Sequence, residues 1–182
     1  MKISTFINAF NVCWSPFSIN TVHVLLLNSK QQLLLQKRSA KKDIQPGKWD
    51  TSVGGHLDPG EGYLADARRE MHEELGVAGI PLTELYRSKI RNEIESENIQ
   101  TYLTIYNGEI VFAEDEIDEV RFWSPEEISS ALGSGCFTPN FEEEWRMFCD
   151  WARKYSADKG ERALCAGDSF PDLIQALQDF ER

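Results

Sequence analysis

The stretch from Tyr63 to Leu75 reads as an amphipathic helix whose two faces need different surroundings. Leu64, Ala67, Met71 and Leu75 recur at spacings of 3, 4 and 4, the stripe that packs a helix onto a neighbouring layer. Glu70, Glu73 and Glu74 stand at i, i+3 and i+4, so three carboxylates share another face. Asp58 and Glu61 precede the segment, where a helix dipole favours acids, and Gly76 follows it as a stop. The apolar stripe requires a sheet or another helix beneath it. The acidic face requires water or a cation, because like charges repel and a hard divalent ion with oxygen ligands removes that penalty. A solvated acidic face is the plain alternative.

The flanking sequence supplies the layer. Val22–Leu27 is an apolar run of strand length, and Leu33–Leu35 follows a polar break, which predicts two buried strands joined by a turn. Trp49–Val53 reads as a short strand ending at Gly54-Gly55. Thr101–Tyr106 alternates with period two and precedes Asn107-Gly108, a turn pair; Val120–Trp123 is a further strand. Ser124-Pro125-Glu126-Glu127 carries the cap, the proline and the acid of a helix start. Phe141, Trp145, Phe148, Ala152 and Tyr155 form a second helical stripe, and Leu173, Ile174, Leu177 and Phe180 a last amphipathic segment. Strands interleaved with helices predict an α/β or α+β sandwich.

With 182 residues and 41% hydrophobic content, the chain suits one globular domain rather than a disordered polymer. We divide it into an N-terminal extension (1–20) of unassigned role, a domain (21–155) and a C-terminal helical extension (156–182). The net charge of −11 disfavours nonspecific nucleic-acid binding and docking on anionic lipid. Cys13, Cys136, Cys149 and Cys165 are far apart and form no zinc pattern. With no apolar span of membrane length and no convincing secretory leader, the expectation is a cytoplasmic protein with neither nucleic-acid nor membrane partners.

The strongest motif runs from Gly55 to Val77. Gly55 is followed after five residues by Glu61, and after seven more by Arg69-Glu70 and the apolar Met71. Glu73-Glu74 come one residue later, then Gly76 and Val77 after one more. This spacing resembles the full signature of the Nudix (MutT-like) hydrolase family, with every specified position filled. The resemblance implies a Nudix-type α/β/α sandwich with a mixed β-sheet, holding Mg²⁺ or Mn²⁺ against a small-molecule diphosphate substrate. By the same resemblance Glu70, Glu73 and Glu74 are metal ligands, with the Gly55 carbonyl as another. Arg69 orients the carboxylates, and Glu61 fixes the loop behind them. Homodimers are common in the family, though no stretch here identifies an interface.

The flanks resemble the branch that includes isopentenyl-diphosphate isomerase. They are Leu33–Ser39, Pro46-Gly47-Lys48-Trp49-Asp50 and Ser52–His56. Glu95-Ser96-Glu97-Asn98 lies where that branch has an acidic pair, and His23 and His56 resemble metal-binding histidines of the isomerase. The isomerase has its catalytic cysteine where this chain has Gly54. A glycine has no side chain with which to move a proton, so the expected chemistry is hydrolytic: cleavage of a nucleoside diphosphate linked to another group. Isomerase-like activity and a noncatalytic nucleotide sensor are the rivals. The general base is left between Glu70 and Glu97. His23 shares a face with Leu25 and Leu27 and equally suits a satisfied core histidine. Lys37, Arg38, Lys41, Lys42 and Lys48 against Asp43 give a local charge of +4. Lys37, Arg38, Lys48, His56 and His23 are therefore the candidate substrate-binding residues, with an ordinary solvated loop as the alternative for the basic ones. Trp49 and the Phe141 stripe are expected in the core.

Overall fold

The computed structural model describes residues 19–91 and 96–158, with side chains as far as Lys154. In chain order the elements are β1 (Ile19–Leu27), β2 (Leu33–Arg38), β3 (Trp49–Asp50), β4 (Val53–His56) and α1 (Tyr63–Leu75). They continue with β5 (Thr83–Arg91), β6 (Ser96–Ile105), β7 (Ile117–Trp123), α2 (Pro125–Ala131) and α3 (Pro139–Asp158). Glu95, Leu173, Ile174, Leu177, Phe180, Cys13 and Cys165 lie outside the described residues.

The seven strands form one mixed sheet. β1 runs parallel to β6 along its whole length, and every other strand pairing is antiparallel. The sheet forks. β1 meets β2 only at Leu27↔Leu33, and farther back it pairs with β4 over Thr21–Val24. β2 meanwhile pairs with β3 at Gln36 and Lys37. Ser52 sits in the fork, where its hydroxyl accepts from the Leu26 N–H at 2.9 Å and donates to the Leu34 carbonyl. That insertion divides the expected strand Trp49–Val53 into β3 and β4.

Both faces of the sheet are covered. Val22, Val24, Leu26, Leu34 and Val53 pack under Ala67, Met71 and Leu75 of α1. Leu25, Leu27, Leu33, Leu35 and Leu103 pack under Ile128, Phe137, Phe141, Trp145 and Phe148. Val24–Leu27 of β1 is an unbroken apolar run because it faces a core on each side. The layers are thus α/β/α. Trp49 is half-buried and stacks edge-on against Trp123 at 5.3 Å.

The helix boundaries follow local chemistry. Gly76 ends α1 with φ of 67°, a left-handed turn that glycine adopts freely. Ser124 and Glu127 form the expected reciprocal capping box. Two details depart from expectation. Leu64 is 39% exposed, so the stripe that packs on the sheet is Ala67, Met71 and Leu75, with Tyr63 rather than Leu64 at its start. β5 has no counterpart among the expected strands; it lies at the sheet edge, and only Ile90 within it is buried. Among the described residues, no helix is long and apolar enough to cross a membrane.

Candidate active site

A cleft of about 790 Å³ opens at the fork of the sheet. β1 contributes Thr21 and His23, β2 contributes Gln36 and Arg38, and β4 contributes Gly54, Gly55 and His56. α1 contributes Arg69, Glu70, Glu73 and Glu74, and β6 contributes Glu97. The motif residues are therefore brought together with His23, more than 30 positions before them, and with Glu97, while His56 belongs to the motif stretch itself.

The glycine at 55 has a steric reason. A Cβ added there would lie 2.1 Å from Cδ of Glu70, so only a bare backbone lets β4 approach α1 this closely. At Gly54 an added Cβ would meet nothing nearer than His23 Cδ2 at 3.4 Å, an ordinary contact.

Arg69 organises the acids. Its Nη1 donates to Glu70 and Glu73 at 3.0 Å each, its Nε donates to Glu61 at 3.3 Å, and its Nη2 donates to Asp66. Asp66 is wholly buried. Burial pushes its carboxyl up, against the opposing pull of Arg69. Burial alone would lower the Arg69 pKa, but Asp66, Glu70 and Glu61 more than reverse that and keep it charged. Burial likewise raises Glu70. In Glu74, burial and the charge of Glu70 push the carboxyl up to about 8, although Gln36 Nε2 and the Gly54 backbone hydrogen-bond to it.

Deeper in the cleft, Glu97 faces His56, with Oε1 3.3 Å from Nε2. Burial would raise Glu97, but His56 and the charge of His23 lower it below the usual carboxylate range. His23 is 8% exposed and its Nδ1 lies 2.9 Å from Oε1 of Glu144 on α3. Burial would depress His23, yet Glu144, with Asp50 and Glu97, lifts it to about 9. His23 is thus a satisfied buried histidine whose ring still borders the cleft.

The basic segment is largely neutralised by acids. Arg38 pairs with Asp50 at 3.2 Å, Lys42 with Glu116 at 2.8 Å and Lys37 with Glu119 at 3.7 Å. Arg38 and Lys42 line the cleft, whereas Lys37 and Lys48 are not among its lining residues.

Four residues of this arrangement escape a reading of the sequence. Asp66 carries a visible signal, three positions before Arg69 on the same helix. Glu144 carries another: a carboxylate three positions after Phe141 and four before Phe148, inside an apolar stripe. Gln36 and Asp50 carry none, because their partners are fixed only by the sheet fork.

Among the described residues, no three His, Cys, Asp or Glu side chains are already gathered into a metal cage. Arg69 instead provides the positive charge between Glu70 and Glu73. The donors nevertheless fit a hard divalent cation. They are all oxygens, they come from one helix face, and the Gly55 backbone lies directly against Glu70.

Comparison with known proteins gives the family. The NUDIX domain model matches residues 18–141. The chain is 35% identical over 118 residues to a Nudix hydrolase of Yersinia pestis, covering 65% of this chain and 64% of that protein. A Nudix hydrolase of Listeria monocytogenes is 35% identical over 124 residues, covering 66% and 72%. The crystal structure of DR0079 from Deinococcus radiodurans superposes with a TM-score of 0.64 at 25% identity, over 71% of this chain and 82% of that one. A bifunctional NMN adenylyltransferase/ADP ribose pyrophosphatase of Francisella tularensis shares the fold, with a TM-score of 0.58 at 19% identity, over 75% of this chain and 42% of that one. The chain belongs to the Nudix family. It spans about two thirds of the length of the curated relatives it matches, 64% for the Yersinia protein.

Proposed function

We propose that this chain is a divalent-cation-dependent hydrolase that cleaves the diphosphate bond of a nucleoside diphosphate linked to another group. The observation that carries this reading is the approach of Gly55 to Glu70, at a distance that excludes any side chain. It sets the β4 backbone against one of three helix carboxylates that line a cleft large enough for a nucleotide-sized molecule.

In this reading Glu70, Glu73, Glu74 and the Gly55 carbonyl are the oxygens that hold Mg²⁺ or Mn²⁺. The cation, when bound, neutralises phosphate oxygens and makes a bound water a stronger nucleophile. Arg69 keeps Glu70 and Glu73 at fixed separation, and Asp66 and Glu61 hold Arg69. Water attacks one phosphorus, the bridging P–O bond breaks, and the leaving phosphate takes the electron pair. A carboxylate accepts the water's proton. Glu70 and Glu97 are the two candidates, and the pH profiles of their single variants distinguish them. The contact of Glu97 with His56 at 3.3 Å supports its candidacy.

The test is a product screen by phosphorus NMR. The protein is mixed with Mg²⁺ and a panel of nucleotide sugars, dinucleotides, nucleoside di- and triphosphates and isopentenyl diphosphate. Cleavage of a diphosphate class, abolished by chelation, is the expected result. Conversion of isopentenyl diphosphate without hydrolysis supports the isomerase alternative, and silence across the panel supports the binding-module alternative.

A further inference from the structure

One end of the cleft is walled by segments other than α1. Arg38, Ile44 and Gln45 line it from the segment between β2 and β3, and Thr138, Pro139 and Asn140 line it from the start of α3. Asp50 joins these walls. Its Oδ1 accepts from the Thr138 hydroxyl at 2.8 Å and from the Thr51 N–H at 3.0 Å, and its Oδ2 accepts from Arg38 Nη1 at 3.2 Å. Arg38 extends the frame, because its Nε donates to the Ile44 carbonyl at 3.1 Å. Next to Ile44 stands Gln45 with φ of 51°, a left-handed conformation that a non-glycine residue keeps only where its surroundings fix it. Backbone bonds close the same frame: Gly47 N–H to the Arg38 carbonyl, Arg38 N–H to the Lys48 carbonyl and Thr138 N–H to the Trp49 carbonyl.

The charge of this end follows from the same contacts. Arg38 is matched by Asp50, and Lys42 by Glu116. Around them the lining is apolar or amide-bearing, through Ile44, Gln45, Pro139 and Asn140. The remainder of the cleft is acidic, since Asp58, Glu70, Glu73, Glu74 and Glu97 line it against Arg69. A neutral, hydrogen-bonding group suits such an end. A second anionic group would enter an acidic cleft whose nearby cations already have partners.

We propose that Asp50 is a positioning residue for substrate choice, an inference that rests on the hydrolase reading above. By holding Arg38 and Thr138 it fixes both walls and keeps this end neutral. The enzyme therefore selects diphosphates whose attached group is uncharged and rich in hydroxyl or amide groups.

The experiment compares kcat/KM on matched pairs that differ only in the charge of the attached group. One pair is a nucleoside diphosphate-hexose and its hexuronate; another is a dinucleotide with and without an extra ribose phosphate. The wild type is expected to favour the neutral member by about tenfold or more. Asp50→Asn leaves the Arg38 charge unmatched and lowers that ratio by about tenfold. Arg38→Gln leaves the Asp50 charge unmatched and raises the ratio. Each readout is a ratio on one preparation, so a reduced folded fraction cancels. Equal cleavage of both members by the wild type overturns the inference and leaves the hydrolase reading standing, as does an equal loss on both members in each variant. Failure of the wild type to cleave any member overturns the hydrolase reading itself, and this inference with it.

Discussion

Nδ1 of His23 on β1 lies 2.9 Å from Oε1 of Glu144 on α3, across 121 positions of sequence. The Thr101 hydroxyl donates to the same oxygen at 3.3 Å. This pair ties the floor of the cleft to the helix layer on the opposite side of the sheet from α1.

The pair makes stability depend on pH in a definite direction. The folded pKa of His23, about 9, lies above its ordinary value of 6.5. Its stabilisation is therefore complete below pH 6.5 and is lost as pH rises toward 9. Denaturant unfolding of metal-free protein between about pH 6 and about pH 9.5 is expected to reveal a loss of order 1–3 kcal/mol from this pair. Glu144→Gln removes the charge that lifts His23 and flattens the profile. Identical pH slopes in the two proteins contradict this assignment.

The two neighbouring glycines are expected to respond differently. Gly55→Ala forces a Cβ to within 2.1 Å of Glu70 Cδ, displaces that carboxylate and lowers kcat by about 100-fold or more. Gly54→Ala meets His23 only at ordinary contact distance and leaves activity within about threefold. Steady-state kinetics on the two variants checks the contrast.

Much of this was legible in advance. α1, its stop at Gly76, the carboxylate face and the apolar parts of β1 and β2 follow from local signals and periodicities of 3.6 and 2, which survive in any sequence that buries one face. The rest depends on contacts that no local pattern encodes. β5 is an edge strand, and Glu84, Arg87, Lys89 and Arg91 obscure its alternation. The division of β3 from β4 depends on a single hydroxyl, Ser52, entering the fork. The basic residues around Lys37–Lys48 suggest an anion clamp, but Asp50 from the next strand and Glu116 and Glu119 from a distant segment match them.

Arg69 is expected to matter for stability as well as activity. Arg69→Ala strips the buried Asp66 of its charged partner and costs about 3 kcal/mol in denaturant unfolding. Arg69→Lys keeps a charge but cannot reach Asp66, Glu61, Glu70 and Glu73 together, so it recovers only part of that loss. Equal stability of the alanine variant and the wild type contradicts the role given to this side chain.

Glu74 is expected to behave in opposite ways with and without metal. In chelator-treated protein, Glu74→Gln removes a buried carboxylate and raises the melting temperature by about 2–5 °C near pH 8. In Mg²⁺, the wild type gains stability through ligand binding and the variant gains little. Thermal melts with and without Mg²⁺ check both halves.

The most direct measurement follows cleavage in ¹⁸O-labelled water with Mg²⁺, using the best substrate of the product screen and mass analysis of both products. The expected result is one ¹⁸O in a single phosphate-bearing product, with turnover abolished by chelation and reduced by about 100-fold or more in Glu74→Gln. Label in a product that carries no phosphate, or undiminished turnover in Glu74→Gln, contradicts it.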